Sequence, residues 1–325
     1  MVFSTMRFSL AGPDIDDERR AEMHSTMIEM SEFADQHGVN AVVVSEHHGT
    51  ENGWMPSPMV LAGMIAARTK ELRISISALL VPLHDPLRAA EDLLTLDIAS
   101  RGRVVTIAGL GYRKVEYDAH LKDWDGRGAL MDETIDFMLK AWTAEPFDYK
   151  GNQVVVTPAP YTKPHPPFII GGESKPAARR AARFNLPFSP AAHLPELEAY
   201  YAVECAKHGN EPMCLMPPGD FSMVFLSEDP ESAWAELGPY FLADAAPYAS
   251  WQSGTVRSAV YTEAKTVAAL REEGKYEILT PDECVERINA GQWSISFHPL
   301  CGGMPTERGW ETLHLFAERV LPKVP

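Results

Sequence analysis

Residues 72–111 read LRISISALLVPLHDPLRAAEDLLTLDIASRGRVVTIAGLG, and this stretch decides the predicted fold. The β-branched and apolar residues from Leu72 to Val81 predict a strand. Pro86 then opens a helix, because a missing N–H group costs nothing in a first helical turn. The helix ends at Arg101-Gly102, and Val104 to Ala108 predict a second strand. The apolar residues that share one stripe of this helix are Leu87, Ala90, Leu94 and Ile98.

The same alternation continues in both directions along the chain. Apolar runs predict further strands over residues 7–11, 41–44, 168–170, 186–189, 222–226 and 293–297. Apolar residues at helical spacing predict helices over residues 20–37, 57–68, 130–142, 176–184, 196–208, 231–243, 281–290 and 310–320. Residues 244–276 show neither pattern and are predicted to be irregular. Eight strand–helix pairs without a linker favour an α/β fold with a single (β/α)8 TIM barrel over residues 1–325.

Composition excludes several classes of protein. The 29 Lys and Arg residues against 45 Asp and Glu residues give a net charge of −16, which repels nucleic acid and anionic membrane surfaces. The N-terminal segment is too short for a signal peptide, and no apolar run approaches the roughly 18 residues of a membrane span. The four cysteines form no CxxC pair, which favours free thiols in a reducing compartment. We therefore expect a cytoplasmic protein with no nucleic-acid or membrane partner.

Unusual residues cluster where the predicted strands end. Because the chemistry of a (β/α)8 barrel lies at the carboxyl ends of its strands, these clusters predict one site on one rim. The clusters are Ser45–Gly49 (SEHHG), Ser77–Leu79, Ala108–Gly111, Gly171–Ser174 (GGES) and His298–Gly302.

The adjacent histidines His47 and His48 allow three interpretations. Imidazole is a common metal ligand, but neighbouring side chains of an extended segment point to opposite faces, so the two cannot share one ion without a turn. A purely structural role is the second interpretation. A general base or a substrate-binding group is the third, and we favour it because imidazole titrates near neutral pH. We accordingly expect no metal at this site.

The GGES stretch predicts a phosphate-binding turn. Two glycines allow a ligand to approach the backbone closely, and the following helix offers N–H groups and the positive end of its dipole. An ordinary tight turn would also explain the two glycines. Gly109 and Gly111 do not form a dinucleotide-binding fingerprint, because Lys114 stands where GxGxxG requires glycine.

At these residues the sequence resembles the bacterial luciferase-like monooxygenase family, which implies a flavin-using (β/α)8 barrel. The similarity covers nearly the whole chain and is strongest over residues 40–190. The matching segments are SEHHG (45–49), AARTKELRISISALLVPLHDPLRAAEDLLTLDIASRGR (66–103), GYRKVEYDAH (111–120), RGALMDETIDFM (127–138), GGESKPAARRAARFNLP (171–187) and TPDECVERI (280–288).

The resemblance also implies roles for individual residues. His47 matches the catalytic histidine of the family, and His48 its neighbour in the substrate pocket. Ser77-Ala78 falls where the family has a bulged, often cis, peptide behind the flavin ring. The residues implied to bind the cofactor are Glu46, Ser77, Ala78, Gly109, Gly171, Gly172, Glu173 and Ser174.

Two departures from the family pattern matter. Gly109 stands at the position of the reactive cysteine of the luciferase α chain, which argues against bioluminescence. Leu110 stands at the position of the arginine on the phosphate side. Phosphate binding would then depend on the GGES turn, with Arg179 or Arg180 as further candidates.

The implied activity is oxidation of a small organic substrate by O2 and reduced FMN supplied by a separate flavin reductase. Residues 244–276 would form a mobile lid, and the chain would form a homodimer. The alternatives are hydride transfer with the deazaflavin coenzyme F-420, a non-catalytic flavin-binding subunit and a metal-dependent hydrolase. Trp54, Tyr248 and Trp251 could line an apolar pocket or simply cover the core.

Overall fold

A computed structural model describes residues 2–251 and 261–324 of the chain. The chain divides into two compact units. The first unit comprises Met1–Pro56, Arg68–Arg73 and Pro218–Pro325, and the second comprises Ser57–Ala67 and Ile74–Pro217.

Strands and helices alternate along the described residues. The strands are β1 (Phe3–Phe8), β2 (Ala41–Val44), β3 (Arg73–Leu80), β4 (Val104–Gly109), β5 (Phe147–Tyr149), β6 (Asn152–Val154), β7 (Phe168–Gly171), β8 (Phe188–Ser189), β9 (Met223–Leu226), β10 (Tyr276–Leu279) and β11 (Ser294–Phe297). The α-helices are α1 (Asp17–Gln36), α2 (Pro58–Arg68), α3 (Pro86–Ser100), α4 (Lys114–Ala119), α5 (Arg127–Ala141), α6 (Lys175–Phe184), α7 (Pro195–His208), α8 (Pro230–Trp251), α9 (Val267–Glu273), α10 (Pro281–Asn289) and α11 (Thr306–Leu315). Short 3-10 turns lie at Val81–Leu83, Cys301–Gly303 and Leu321–Lys323, and a π-helical stretch lies at Phe316–Val320.

The first unit contains a parallel sheet in the order β10-β9-β11-β1-β2. Strand β1 pairs Met6 with Phe297 of β11 on one side and with Val42 of β2 on the other. Phe8 and Val44 are fully buried at the ends of their strands. The carboxyl ends of β11, β1 and β2 therefore lie side by side, and the chain leaves them at His298, Ser9 and Ser45.

The second unit contains a parallel sheet in the order β3-β4-β7-β8, with β5 and β6 as a separate antiparallel hairpin. Ala108 of β4 lies opposite Leu79 of β3 on one side and Ile170 of β7 on the other. The carboxyl ends of these three strands are thus neighbours. Apolar β-branched residues supply much of this buried sheet, as a strand covered on both faces requires.

The predicted helix α3 shows how local signals set its limits. Asp85 caps it by accepting a hydrogen bond from the Arg88 N–H at 3.0 Å, and Pro86 takes the first helical position. The helix ends at Arg101, as predicted, and this residue has a left-handed backbone conformation. The predicted apolar stripe was wrong at its two ends, because Leu87 and Ile98 are exposed. The residues that this helix buries are Ala89, Ala90, Leu93, Leu94, Leu96, Asp97 and Ser100.

Several element predictions were also wrong. Strand β1 covers residues 3–8 rather than 7–11, because alternate residues Ser4, Met6 and Phe8 face the interior although serine is polar. Strand β10 lies in the segment that was predicted to be irregular. The other elements that the sequence patterns missed are β5, β6, α4 and α9.

Residues 244–276 differ most from their prediction. Helix α8 continues to Trp251 because Phe241, Ala245 and Tyr248 recur at helical spacing and are buried, which outweighs Pro247 within the helix. Residues 252–260 of the predicted lid lie outside the described residues. The α/β class is confirmed by the parallel sheets, whereas closure into one (β/α)8 barrel, the lid and a single domain over residues 1–325 stay predictions. Within residues 2–251 and 261–324, every helix is too short or too polar for a bilayer.

Candidate functional site

His47 follows strand β2 in the first unit and is surrounded by aromatic rings. Its ring centroid lies 5.1 Å from that of Trp54, 5.0 Å from that of Trp251 and 6.4 Å from that of Tyr248. His47, Trp54 and Tyr248 are buried, and Trp251 is half-buried. We call these four residues the aromatic cluster. Their edge-to-face and tilted contacts place the imidazole in apolar surroundings.

His48 has a different environment from its neighbour. Its Nε2 atom lies 2.8 Å from Oε1 of Glu46, whose side chain is completely buried. The two imidazoles therefore serve different partners, in agreement with the argument that adjacent side chains diverge. Glu46 therefore orients the His48 ring.

Arg7 on strand β1 contacts the aromatic cluster from the same unit. Its guanidinium donates a hydrogen bond to the Tyr248 hydroxyl and lies 5.6 Å from the Tyr248 ring centroid and 5.9 Å from that of Trp54. This cation fixes the position of the Tyr248 ring and places positive charge beside the cluster.

A second group of polar side chains, centred on His298, lies where the chain leaves the ends of β1 and β11. His298 is completely buried, with Nε2 3.3 Å from the Ser9 hydroxyl and Nδ1 3.5 Å from Oδ2 of Asp244. The Tyr276 hydroxyl donates to the same Asp244 oxygen at 2.7 Å. Burial raises the pKa of Asp244, but the charge of a protonated His298 and the Tyr276 hydroxyl outweigh this effect and hold it at about 2. Burial raises the pKa of the adjacent Cys301 thiol well above its ordinary value.

In the second unit, strand β3 carries the predicted bulge. The register with β4 shifts between Ser77 and Leu79, and the Ser77–Ala78 peptide is cis. A Cβ atom at Gly109 would lie only 2.7 Å from the Ala78 Cβ, so glycine is required for β4 to pass this bulge. The Leu110 carbonyl that follows accepts a hydrogen bond from Tyr117.

The GGES turn leaves strand β7 beside Gly109. Gly172 has a φ of +140°, and a Cβ atom there would lie 2.9 Å from Ala177, so both conformation and space require glycine. Ser174 caps α6 by accepting from the Ala177 N–H at 3.4 Å, and Pro176 contributes no N–H. The second unit thus brings Ser77, Ala78, Gly109 and the GGES turn to the ends of three adjacent strands.

The two arginines proposed for phosphate binding contact other helices. Arg180 binds the Asp132 carboxylate and the Gly128 carbonyl of α5, the latter at 3.1 Å. Arg179 donates to the Tyr200 hydroxyl of α7 at 3.0 Å. Both side chains therefore join α6 to its neighbours.

The described residues contain one group of three or more side chains spaced to hold a metal ion, and it does not include His47 or His48. It consists of Asp244, His298 and Cys301. Sequence reasoning missed Arg7, Asp244 and Tyr276, because two of them lie in the segment predicted to be irregular. All four cysteines lie within the described residues and are free thiols, as predicted.

Comparison with known proteins identifies the family. The luciferase-like monooxygenase family matches residues 4–293. The chain belongs to this family. The resemblance inferred from the sequence is therefore confirmed.

One curated relative of this chain is the alkanal monooxygenase alpha chain of Photorhabdus luminescens. It is 27% identical over 173 residues, which cover 52% of this chain and 48% of that protein. The chain spans about half the length of the curated relatives it matches.

Two solved structures share the fold over nearly the whole length. The monooxygenase RslO1 from Streptomyces bottropensis has a TM-score of 0.76 and 24% identity, with 99% of each chain covered. The oxygenating constituent of 3,6-diketocamphane monooxygenase from Pseudomonas putida, solved with FMN, has a TM-score of 0.75 and 18% identity. That alignment covers 100% of this chain and 99% of the other.

Proposed function

We propose that this chain uses reduced FMN and O2 to oxidise a small organic substrate. The observation that carries the proposal is the arrangement at the ends of β3, β4 and β7, read together with family membership. There the bulge at Ala78, the tightly packed Gly109 and the GGES turn lie at the carboxyl ends of three neighbouring strands. Such a surface suits a flat, phosphorylated cofactor that must contact main-chain atoms closely.

The second unit supplies the FMN contacts in this proposal. Ser77, Ala78 and Gly109 would lie against the flavin ring system. The phosphate would be held by Gly171, Gly172, Glu173 and Ser174, with the Ser174 hydroxyl already committed to capping helix α6. Because Pro176 lacks an N–H and the Ala177 N–H binds Ser174, we assign the phosphate to the N–H groups of Ser174 and Lys175.

Local binding of this kind is needed because the chain as a whole is acidic. A net charge of −16 repels a phosphorylated cofactor at long range. Main-chain N–H groups and the start of a helix attract the phosphate at short range without adding a cation. Arg179 and Arg180 have no part in this arrangement, since they join α6 to α7 and α5.

The first unit supplies the proton chemistry. Bound reduced FMN provides the electrons that activate O2 and allow one oxygen atom to reach the substrate. His47 acts as the general base, or donates a hydrogen bond to the reacting oxygen. His48, held by Glu46, contacts the substrate. Trp54, Tyr248 and Trp251 keep water away from the His47 imidazole.

The partners that belong to this proposal are a separate flavin reductase, O2 and a second copy of the chain in a cytoplasmic homodimer. The names of the relatives suggest substrates for a first panel. An alkanal and a diketocamphane represent the two relatives whose names state a substrate.

The deciding experiment titrates the purified chain with FMN and with coenzyme F-420, each oxidised and reduced. Tighter binding of reduced FMN, followed by oxidation of a panel compound in air, is the expected result. Binding of F-420 with no binding of FMN would overturn the proposal in favour of hydride transfer. FMN binding without any product from the panel, and with no effect of His47→Asn on the reoxidation of bound FMN, would indicate a flavin-binding subunit.

A further inference from the structure

A cluster in the first unit takes no part in the proposed flavin chemistry. Asp244 lies on helix α8, His298 follows strand β11, and Cys301 begins the 3-10 turn after it. One ligand atom from each lies within 4.8 Å of the other two. The residues are 5%, 0% and 0% exposed, respectively.

Two atoms of this cluster make no hydrogen bond within the described part of the chain. They are Oδ1 of Asp244 and Nδ1 of His298, both fully buried. Buried polar atoms are normally satisfied, since each one left without a partner costs about 1–3 kcal/mol. A bound cation that accepts a lone pair from each of these two atoms would remove this cost.

The remaining atoms of the same groups are held by neighbours. Tyr276 donates to Oδ2 of Asp244 at 2.7 Å, and the Ser9 hydroxyl lies 3.3 Å from Nε2 of His298. Metal-bound imidazoles and carboxylates have such outer contacts, which fix the ring orientation and tautomer and leave the other atom for the ion.

We propose that Asp244, His298 and Cys301 bind a structural zinc ion. Nitrogen, sulfur and carboxylate oxygen together are a zinc ligand set, whereas magnesium and calcium prefer oxygen alone. Zinc bond lengths give ligand–ligand distances of about 3.3–3.7 Å in a tetrahedron, and the three candidate ligand atoms lie within 4.8 Å of one another. A contraction of about 1 Å around the sulfur completes the three protein ligands.

The charges of this site balance. Binding displaces the Cys301 thiol proton and the proton on Nδ1 of His298 to water, so that the imidazole is neutral and one thiolate and one carboxylate neutralise the divalent ion. The fourth position falls to a buried water molecule. A site buried to this degree gives zinc a role in holding α8 against the end of β11, without access for a substrate.

The test measures zinc in the full chain purified from zinc-supplemented cells and desalted in the presence of a chelator. About one zinc per chain is expected, with a roughly tenfold or greater loss in Cys301→Ser and in His298→Gln. Cys284→Ser is the matched control, because Cys284 is also a buried free thiol but lies on helix α10. It should retain the full zinc content.

Cobalt substitution makes the result independent of how well the variants fold. A thiolate-to-cobalt charge-transfer band in the otherwise unchanged chain is expected, and it requires sulfur bonded to the ion. Less than about a tenth of a zinc per chain, or a cobalt spectrum without that band, would overturn the proposal and leave a buried Asp244–His298 ion pair. Full zinc content in both ligand variants would overturn it equally.

Discussion

The two units place different kinds of groups at the ends of their strands. In the first unit, strands β1, β2 and β11 lead into imidazoles, carboxylates and aromatic rings around His47 and His298. In the second, strands β3, β4 and β7 lead into glycines, and an added Cβ atom would meet Ala78 at Gly109 and Ala177 at Gly172. In the proposed function, the first unit serves proton transfer and the second serves close contact with a ligand.

This difference shows that proton transfer and close contact with a ligand depend on different properties of the sequence. Proton chemistry depends on the atoms that a side chain carries, and a conservative substitution removes them without altering the backbone. A main-chain surface depends on the absence of side-chain atoms, and any added Cβ damages it. If the comparison holds, variants of the first unit change rates at constant FMN affinity, and variants of the second change FMN affinity.

The largest effect is expected for His47→Asn. Removal of the base should lower the oxidation rate of any panel compound by about 100-fold to 10,000-fold, with FMN affinity changed by less than about twofold. Product formation by mass spectrometry and an FMN titration measure the two quantities. His37→Asn, at the exposed end of helix α1, is the control and should leave both unchanged. A loss of FMN affinity in His47→Asn would contradict the assignment of FMN binding to the second unit alone.

A smaller loss is expected for Gly172→Ala in the second unit. The added Cβ meets Ala177 at 2.9 Å and strains a residue with φ of +140°, which should cost about 1–3 kcal/mol and weaken FMN binding by roughly tenfold or more. Gly209→Ala is the control, because its φ is +72° but nothing lies within 4 Å. It should cost about 1 kcal/mol and leave FMN affinity intact. Equal FMN affinity in both variants would show that the GGES turn does not bind FMN.

Tyr248→Phe is expected to have a smaller effect on the aromatic cluster than His47→Asn. The variant keeps the ring and removes the hydroxyl that accepts from Arg7, which should cost about 1–2 kcal/mol and slow oxidation by up to about tenfold. FMN affinity should stay constant. Tyr161→Phe, an exposed tyrosine of the second unit, is the control. An unchanged rate in Tyr248→Phe would remove the hydroxyl from the proton chemistry.

The smallest effect is expected at the start of helix α10, which belongs neither to the aromatic cluster nor to the GGES turn. Thr280→Ala breaks a capping box with Glu283 and should lower the free energy of unfolding by about 1 kcal/mol near pH 7. The Thr280 N–H and hydroxyl lower the pKa of Glu283, so its contribution is present above the ordinary pKa of 4.5 and is lost as the pH falls below it.

Denaturant unfolding at about pH 7 and about pH 4 measures this dependence. The difference between the unchanged chain and Thr280→Ala should shrink at the lower pH. Thr266→Ala is the control, since Thr266 caps helix α9 without a glutamate partner and should cost the same at both pH values. A pH-independent cost at Thr280 would argue against the reciprocal bond from Glu283.

Much of the fold could be predicted because its signals are local. The start of α3 at Pro86 and its end at Arg101 follow from single residues with restricted backbone conformations. The stretch AVVV at 41–44 has the continuous apolar character of a strand buried on both faces. The prediction failed over residues 244–276, which contain strand β10 and the continuation of α8. There, burial by distant segments overrides a proline and a mixed composition.

The candidate site was predictable to different extents in the two units. The glycines of the GGES turn stood out in the sequence, because a glycine pair before a helix permits backbone conformations that other residues avoid. Nothing local marks Arg7 as the partner of Tyr248, since 241 residues separate them along the chain. Likewise, no pattern joins Asp244 to His298 and Cys301.

By itself, the sequence determined the alternation of most strands and helices, the family and the glycine pair of the GGES turn. These follow from the conformational limits of a few neighbouring residues and from hydrophobic periodicity. Only the tertiary structure decided which rings surround His47 and which buried groups share the Asp244–His298–Cys301 cluster. Such contacts arise when parallel strands bring their carboxyl ends side by side, and the identity of those neighbours depends on the pairing of the whole sheet.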